Sequence, residues 1–216
     1  MPLQLRSGLS FCRVGERLVF LDVPGDRYFC LATPLERAIA RMADDAADAD
    51  PADDAVARLI ERGILVASGH PVVPCDLSLD PADSLLDGGA IAETGAAIRA
   101  AANLWASIVR VKRRSLRHNL RAIALRRRAA DPPQARSLAQ IAAAFDRASG
   151  WTSSHDRCLP QSLAVARAAL SAGHDVRVVL GVSLGPFFAH CWVQQGATVV
   201  NDRVDLVRRF TPILVV

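Results

Sequence analysis

Residues 157–202 read RCLPQSLAVARAALSAGHDVRVVLGVSLGPFFAHCWVQQGATVVND. Arg157-Cys158 opens an apolar helix over Leu159–Ala172, and Gly173 ends it. Asp175–Val182 follows as a β run with Val176, Val178, Val179 and Val182, and Ser183–Pro186 turns the chain. Phe187–Gln194 reads as the next strand, Gln195-Gly196-Ala197 as a tight turn and Ala197–Asn201 as a further strand. A helix that runs into an antiparallel sheet is an α+β arrangement. Residues 178–201 lack Asp, Glu, Lys and Arg, but their Gly, Pro, His, Gln and Asn residues fit a buried hairpin and not a bilayer helix.

This stretch orders three chemically informative residues: Cys158, His190 and Asp202. Cys158 lies in the first turn of its helix, where unpaired N–H groups and the helix dipole favour negative charge. The thiolate is the reactive form of cysteine. A neighbouring histidine completes the activation and a carboxylate orients the histidine. The backbone N–H of Cys158 is also placed to help hold an oxyanion. A three-residue loop pairs Gln194 with Thr198 and Trp192 with Val200, which sets His190 opposite Asp202. A shorter loop sets His190 opposite Asn201. Either residue is a workable orienting partner. A zinc site built from His155, Cys158, His190 and Cys191 competes with this reading, but adjacent strand residues point to opposite faces, which separates His190 from Cys191. No metal and no cofactor are expected.

The chain has 216 residues with 51% hydrophobic and 22% charged side chains, which excludes wholesale disorder and fibrous repeats. Arg is abundant and Lys112 is the single lysine, a bias read as compositional. The net charge of +4 is unevenly divided: residues 1–80 carry 8 basic and 13 acidic side chains, and residues 81–216 carry 18 and 9. That asymmetry predicts two modules. Five cysteines (Cys12, Cys30, Cys75, Cys158, Cys191) at irregular spacing with no CxxC pair argue for a reducing, cytoplasmic setting and against a disulfide scaffold. No signal peptide and no membrane span are expected.

The N-terminal module is predicted over 1–70. Leu9–Val14, Arg17–Val23 and Arg27–Ala32 read as a strand meander broken by Gly15-Glu16 and Pro24-Gly25-Asp26. Thr33-Pro34 with Glu36 reads as a capped helix start, with Leu35, Ile39 and Met42 as the apolar face. Asp50-Pro51 reads as the start of a second helix, with Val56, Leu59 and Ile60 on its face. Gly63 closes it before a short strand at Ile64–Val66. The Pro- and Gly-bearing stretch 71–89 is predicted to be a linker. Residues 90–128 are helical by composition, and a further helix is expected at 134–148 after the stop at Asp131-Pro132-Pro133.

The blocks Cys158–Ala164, Val179–Val182, Phe188–Val193 and Val199–Asp202, in that order, resemble the lasso-peptide B protein, the leader peptidase of lasso-peptide biosynthesis. Two positions depart from the usual pattern of the third block: Cys191 stands for a small residue and Gln194 for an acid. The resemblance implies a winged-helix-like recognition domain of three strands plus helices. It joins this to a transglutaminase-like, papain-related cysteine peptidase domain over 90–216. It also implies that Cys158 attacks a scissile carbonyl, His190 shuttles the proton and Asp202 holds the imidazole. The implied partners are the leader of a precursor peptide and an ATP-dependent macrolactam cyclase. Residues 1–70 are similar to precursor-recognition domains, in which a leader adds a strand to a sheet edge. Tyr28, Phe29, Cys30 and Leu31, with Val56, Leu59 and Ile60, are then the expected walls.

Rival readings keep the same three residues but transfer the acyl group to an amine, or make the chain a non-catalytic scaffold for the cyclase. The nine basic side chains of Arg110–Arg128 are read first as a solvated helix face and second as a surface for an acidic partner. No nucleic-acid partner is expected, because the winged-helix-like half is acidic. Trp151, His155 and Asp156 are expected to line the site.

Overall fold

The chain is described here by a computed structural model. The description covers residues 3–45, 53–67, 72–77, 80–128, 136–150 and 157–216. It divides into two units, Met1–Asp76 and Leu77–Val216.

In the first unit, the two-residue turn at Gly15-Glu16 sets the register of the central hairpin. Gly15 sits at φ 57°, a region a side chain disfavours, and Val14 pairs with Arg17 across the turn. The elements run β1 (Leu3–Leu5), β2 (Leu9–Val14), β3 (Arg17–Asp22), β4 (Arg27–Cys30), α1 (Thr33–Asp45), α2 (Asp54–Glu61) and β5 (Leu65–Ala67). β2, β3 and β4 form an antiparallel sheet with β4 at its end, and β1 pairs with β5. The rings of Phe11, Phe20 and Phe29 stack across the sheet at centroid spacings of 5.5 and 5.3 Å. They pack with Leu18, Leu31, Leu35, Ile39, Val56, Leu59 and Leu65 into one core.

Two details differ from the sequence expectation. The second helix begins at Asp54, and Asp53 caps it by accepting from the Ala55 N–H at 2.8 Å. Asp50 and Pro51 lie outside the described residues. The buried Glu36 carboxylate does not close a local capping box. It accepts from the Leu18 N–H and from Arg17, tying α1 to β3. A buried carboxylate needs such donors, and the hairpin offers a charged one.

The second unit runs β6 (Asp83–Ser84), a single 3-10 turn (Leu85–Gly88), α3 (Thr94–Arg113), α4 (Leu116–Arg128), α5 (Leu138–Ser149), α6 (Cys158–Ser171), β7 (Arg177–Ser183), β8 (Phe188–Gln195), β9 (Thr198–Val199), α7 (Val204–Val207) and β10 (Thr211–Val215). The sheet order is β10-β7-β8-β9-β6, antiparallel except for the β6–β9 pair. The expected linker 71–89 therefore contains a sheet strand and a helical turn. The long helical stretch 90–128 breaks in two at Arg114, whose backbone is extended (φ −129°, ψ 141°). Ser115 then takes the His118 N–H and starts α4. α5 opens on a capping box between Ser137 and Gln140. Among the described residues no helix is long and apolar enough to cross a membrane.

α6 lies against β8 and is surrounded by α3, α4 and α5. Its side chains from Leu163 to Ala166 are almost completely buried. This explains why the helix reads as apolar all round in sequence: it is the central helix of its unit.

Gly181 on β7 pairs with His190 on β8. A Cβ placed on Gly181 would lie 2.7 Å from the Trp192 ring and 2.9 Å from the Phe210 Cβ, so only glycine leaves room for both rings. Gly181→Ala is expected to destabilise the protein by about 1–3 kcal/mol through overpacking, read as a lower denaturant midpoint at unchanged slope. An unchanged midpoint would show that the rings move aside freely.

Candidate active site

Three local features bring the chemically informative side chains together. Cys158 is the first residue of α6, placed there by Arg157, whose non-helical backbone (φ −110°, ψ 7°) precedes it. His190 is near the start of β8. Asp202 lies just past β9, where the chain bends through Val200–Asp202 before α7. His190 Nε2 and Asp202 Oδ2 are 2.6 Å apart, with 15% and 17% of their side chains exposed. A carboxylate only accepts, so Nε2 carries the shared proton and Nδ1 is the nitrogen left for another partner. Cys158 is within hydrogen-bonding reach of the same ring.

The hairpin register differs from both sequence expectations. Gln195 pairs with Thr198 and Gln194 with Val199, so the loop is Gly196-Ala197. Extended without a break, that register would not set Asp202 opposite His190. The strand stops instead at Val199, and the bend carries Asp202 to the histidine. Asn201 faces elsewhere: its Oδ1 accepts from the Val193 N–H at 2.7 Å.

Asp202 is held at three points. Its backbone carbonyl accepts from Ser84 Oγ at 2.6 Å, its Oδ1 accepts from the Arg203 N–H at 2.8 Å, and its Oδ2 faces the ring. Ser84 belongs to the stretch expected as a linker, and its role had no sequence signal beyond a lone serine. His190 is also packed by Phe210, at a ring spacing of 4.9 Å, and by the buried Trp192 at 6.2 Å. The Trp192 indole N–H donates to the side-chain carbonyl of Gln194 at 3.1 Å, and Gln194 donates on to the Gly196 carbonyl at 2.7 Å. Gln194 thus supplies the polar partner that a buried indole needs.

Burial favours the neutral form of the His190 ring. The hydrogen bond and charge of Asp202, with a further contribution from Cys158, outweigh it and lift the pKa to about 9. The neighbouring Cys191 thiol is buried, and that burial, with the charge of Cys158 second, pushes its pKa up. Among the described residues no group of three His, Cys, Asp or Glu side chains is arranged to hold a metal ion. His155, needed for the zinc alternative, lies outside the described residues, as do Trp151 and Asp156.

In the first unit the expected wall residues separate by burial. Leu31, Val56 and Leu59 are core side chains with 7%, 3% and 0% exposure. Tyr28 and Phe29 are half-buried, while Cys30 and Ile60 are exposed. Tyr28, Phe29 and Cys30 lie on β4, the end strand of its sheet.

The sequence model of the transglutaminase-like superfamily matches residues 101–215, more than half of the chain. The chain is also similar to the microcin J25-processing protein McjB of Escherichia coli, with 42% identity over 49 residues, 23% of this chain and 24% of the relative. The similarity therefore spans about a quarter of that relative's length. No solved structure matches.

The raised pKa has a definite sign. A charged His190 stabilises the folded state fully below about pH 6.5, and that contribution is lost as pH rises through about 9. Titration of the ring by ¹H–¹⁵N NMR is expected to give a midpoint near 9, moving down toward 6.5 in Asp202→Asn. A midpoint that ignores Asp202→Asn would contradict the assigned cause.

Proposed function

The chain belongs to the transglutaminase-like superfamily, and from that premise we propose that it is a cysteine endopeptidase that removes the leader from a ribosomally made lasso-peptide precursor. The observation that carries this reading is the His190 ring, held by Asp202 on one nitrogen and within reach of Cys158. Such an arrangement generates a nucleophile and a proton carrier from one imidazole. The name of the similar McjB protein, which processes microcin J25, supports a peptide substrate.

The proposed mechanism uses these three side chains in turn. The cycle starts from a thiolate–imidazolium pair, in which the Cys158 proton already resides on His190 and the Asp202 carboxylate stabilises the charged ring. The thiolate attacks the scissile carbonyl, and the oxyanion faces the N–H groups at the start of α6, the positive end of its dipole. His190 returns its proton to the leaving amine, which is the new N-terminus of the core peptide. The leader remains on Cys158 as a thioester. Water, deprotonated by His190, then releases it.

The leader is proposed to bind the first unit by adding a strand beside β4. Tyr28, Phe29 and Cys30 are the accessible contacts on β4, and Ile60 is exposed on α2; Leu31, Val56 and Leu59 belong to the core of the same unit. The freed amine is the group that an ATP-dependent macrolactam cyclase would consume, which makes that enzyme the expected partner. The cysteine pattern fits a cytoplasmic protein.

Mass spectrometry of the purified protein mixed with its precursor tests this directly. Wild type is expected to give two fragments whose masses sum to the precursor plus one water, and Cys158→Ala and His190→Ala are expected to give none. A fragment pair persisting in Cys158→Ala would remove the nucleophile from the account. A product that carries an added amine in place of water would instead make the enzyme an acyltransferase.

A further inference from the structure

We propose that Ser162 and Asn201 are positioning residues, a side-chain clamp that fixes the three elements bearing Cys158, His190 and Asp202 relative to one another; this rests on the reading of those three as one catalytic unit. The clamp is a short chain of hydrogen bonds. Ser162 Oγ donates to the Cys191 carbonyl at 2.8 Å, Asn201 Nδ2 donates to Ser162 Oγ at 3.0 Å, and Asn201 Oδ1 accepts from the Val193 N–H at 2.7 Å.

Each member neighbours one residue of the proposed catalytic set. Ser162 is one helical turn beyond Cys158 on α6, Cys191 follows His190 on β8, and Asn201 precedes Asp202 in the bend. A shift of any one element would therefore break the clamp before it separated the three functional groups.

The sheet explains why the clamp exists. In a strand, the N–H and C=O of one residue point to the same side. The Val193 carbonyl accepts from the Val200 N–H, so Val193 faces β9 with both of its groups, and Cys191, two residues away, faces the same side. β9 ends at Val199, which leaves the Val193 N–H and the Cys191 carbonyl beyond its reach. Both residues are buried, where an orphaned main-chain group is unfavourable. Asn201 and Ser162 take those two groups in place of a continuing strand. The chain is thereby free to leave the sheet early, and the early departure is what delivers Asp202 to His190. Ser162 is fully buried, and its hydroxyl spends both donor and acceptor capacity in the clamp.

Ser162→Ala, Asn201→Ala and the double variant test the assignment on the full chain, with precursor as substrate and thermal unfolding measured in parallel. Each single variant is expected to lower kcat about tenfold or more with KM changed less than about threefold, because substrate-binding surfaces are untouched and sub-ångström displacement acts on the chemical step. The double variant is expected to be no more than about threefold worse than the weaker single, since both belong to one network. The His190 ring midpoint, read by NMR without substrate, is expected to shift in Ser162→Ala. Folded variants that keep kcat within about twofold of wild type, or singles whose losses multiply in the double, would overturn the clamp. If wild type does not cleave, the peptidase reading fails on its own, and the NMR midpoint still decides: a shift supports the clamp and an unchanged midpoint overturns it.

Discussion

The contact between His190 Nε2 and Asp202 Oδ2 governs the second unit's architecture. It requires a sheet strand to stop after two residues, the chain to bend at once, and a buried imidazole to share a proton with a carboxylate whose other atoms are tied down by Ser84 and Arg203. Gly181 leaves room for the rings that flank the histidine, and the central position of α6 brings its first residue to the same place.

The two units of the chain are built differently. The first unit gives its large apolar side chains to a core under a three-stranded sheet whose last strand, β4, is an edge. The second unit surrounds the middle of one helix, whose side chains from Leu163 to Ala166 are almost completely buried, while its first residue, Cys158, stays half-buried. The proposed division of labour, leader capture in one and bond cleavage in the other, uses each for what its construction allows.

Much of the fold was legible in the sequence, and the reasons for the failures are local. Gly and Pro turns marked the N-terminal strands, and the Arg157-Cys158 start of α6 was visible from its apolar run and its terminal Gly173. The hairpin register was not: Gln194, Gln195, Gly196 and Ala197 permit several loops, and only the side-chain substitution by Asn201 and Ser162 decides where the strand ends. The linker expectation failed at Ser84 because a two-residue strand has no periodicity to read. The break at Arg114-Ser115 carried a signal, a serine ahead of a helical run, that composition alone concealed. Burial of Val56 and Leu59 followed from the helix pattern.

The central claim is that position and partners, more than exposure, make Cys158 the reactive thiol. Exposure alone ranks Cys30 ahead of the half-buried Cys158. The rate of iodoacetamide modification at each of the five cysteines, resolved by peptide mapping at neutral pH, separates these views. The account predicts that Cys158 is modified first and that His190→Ala slows it below Cys30. Modification led by Cys30 in the wild type, with Cys158 indifferent to His190→Ala, would contradict it.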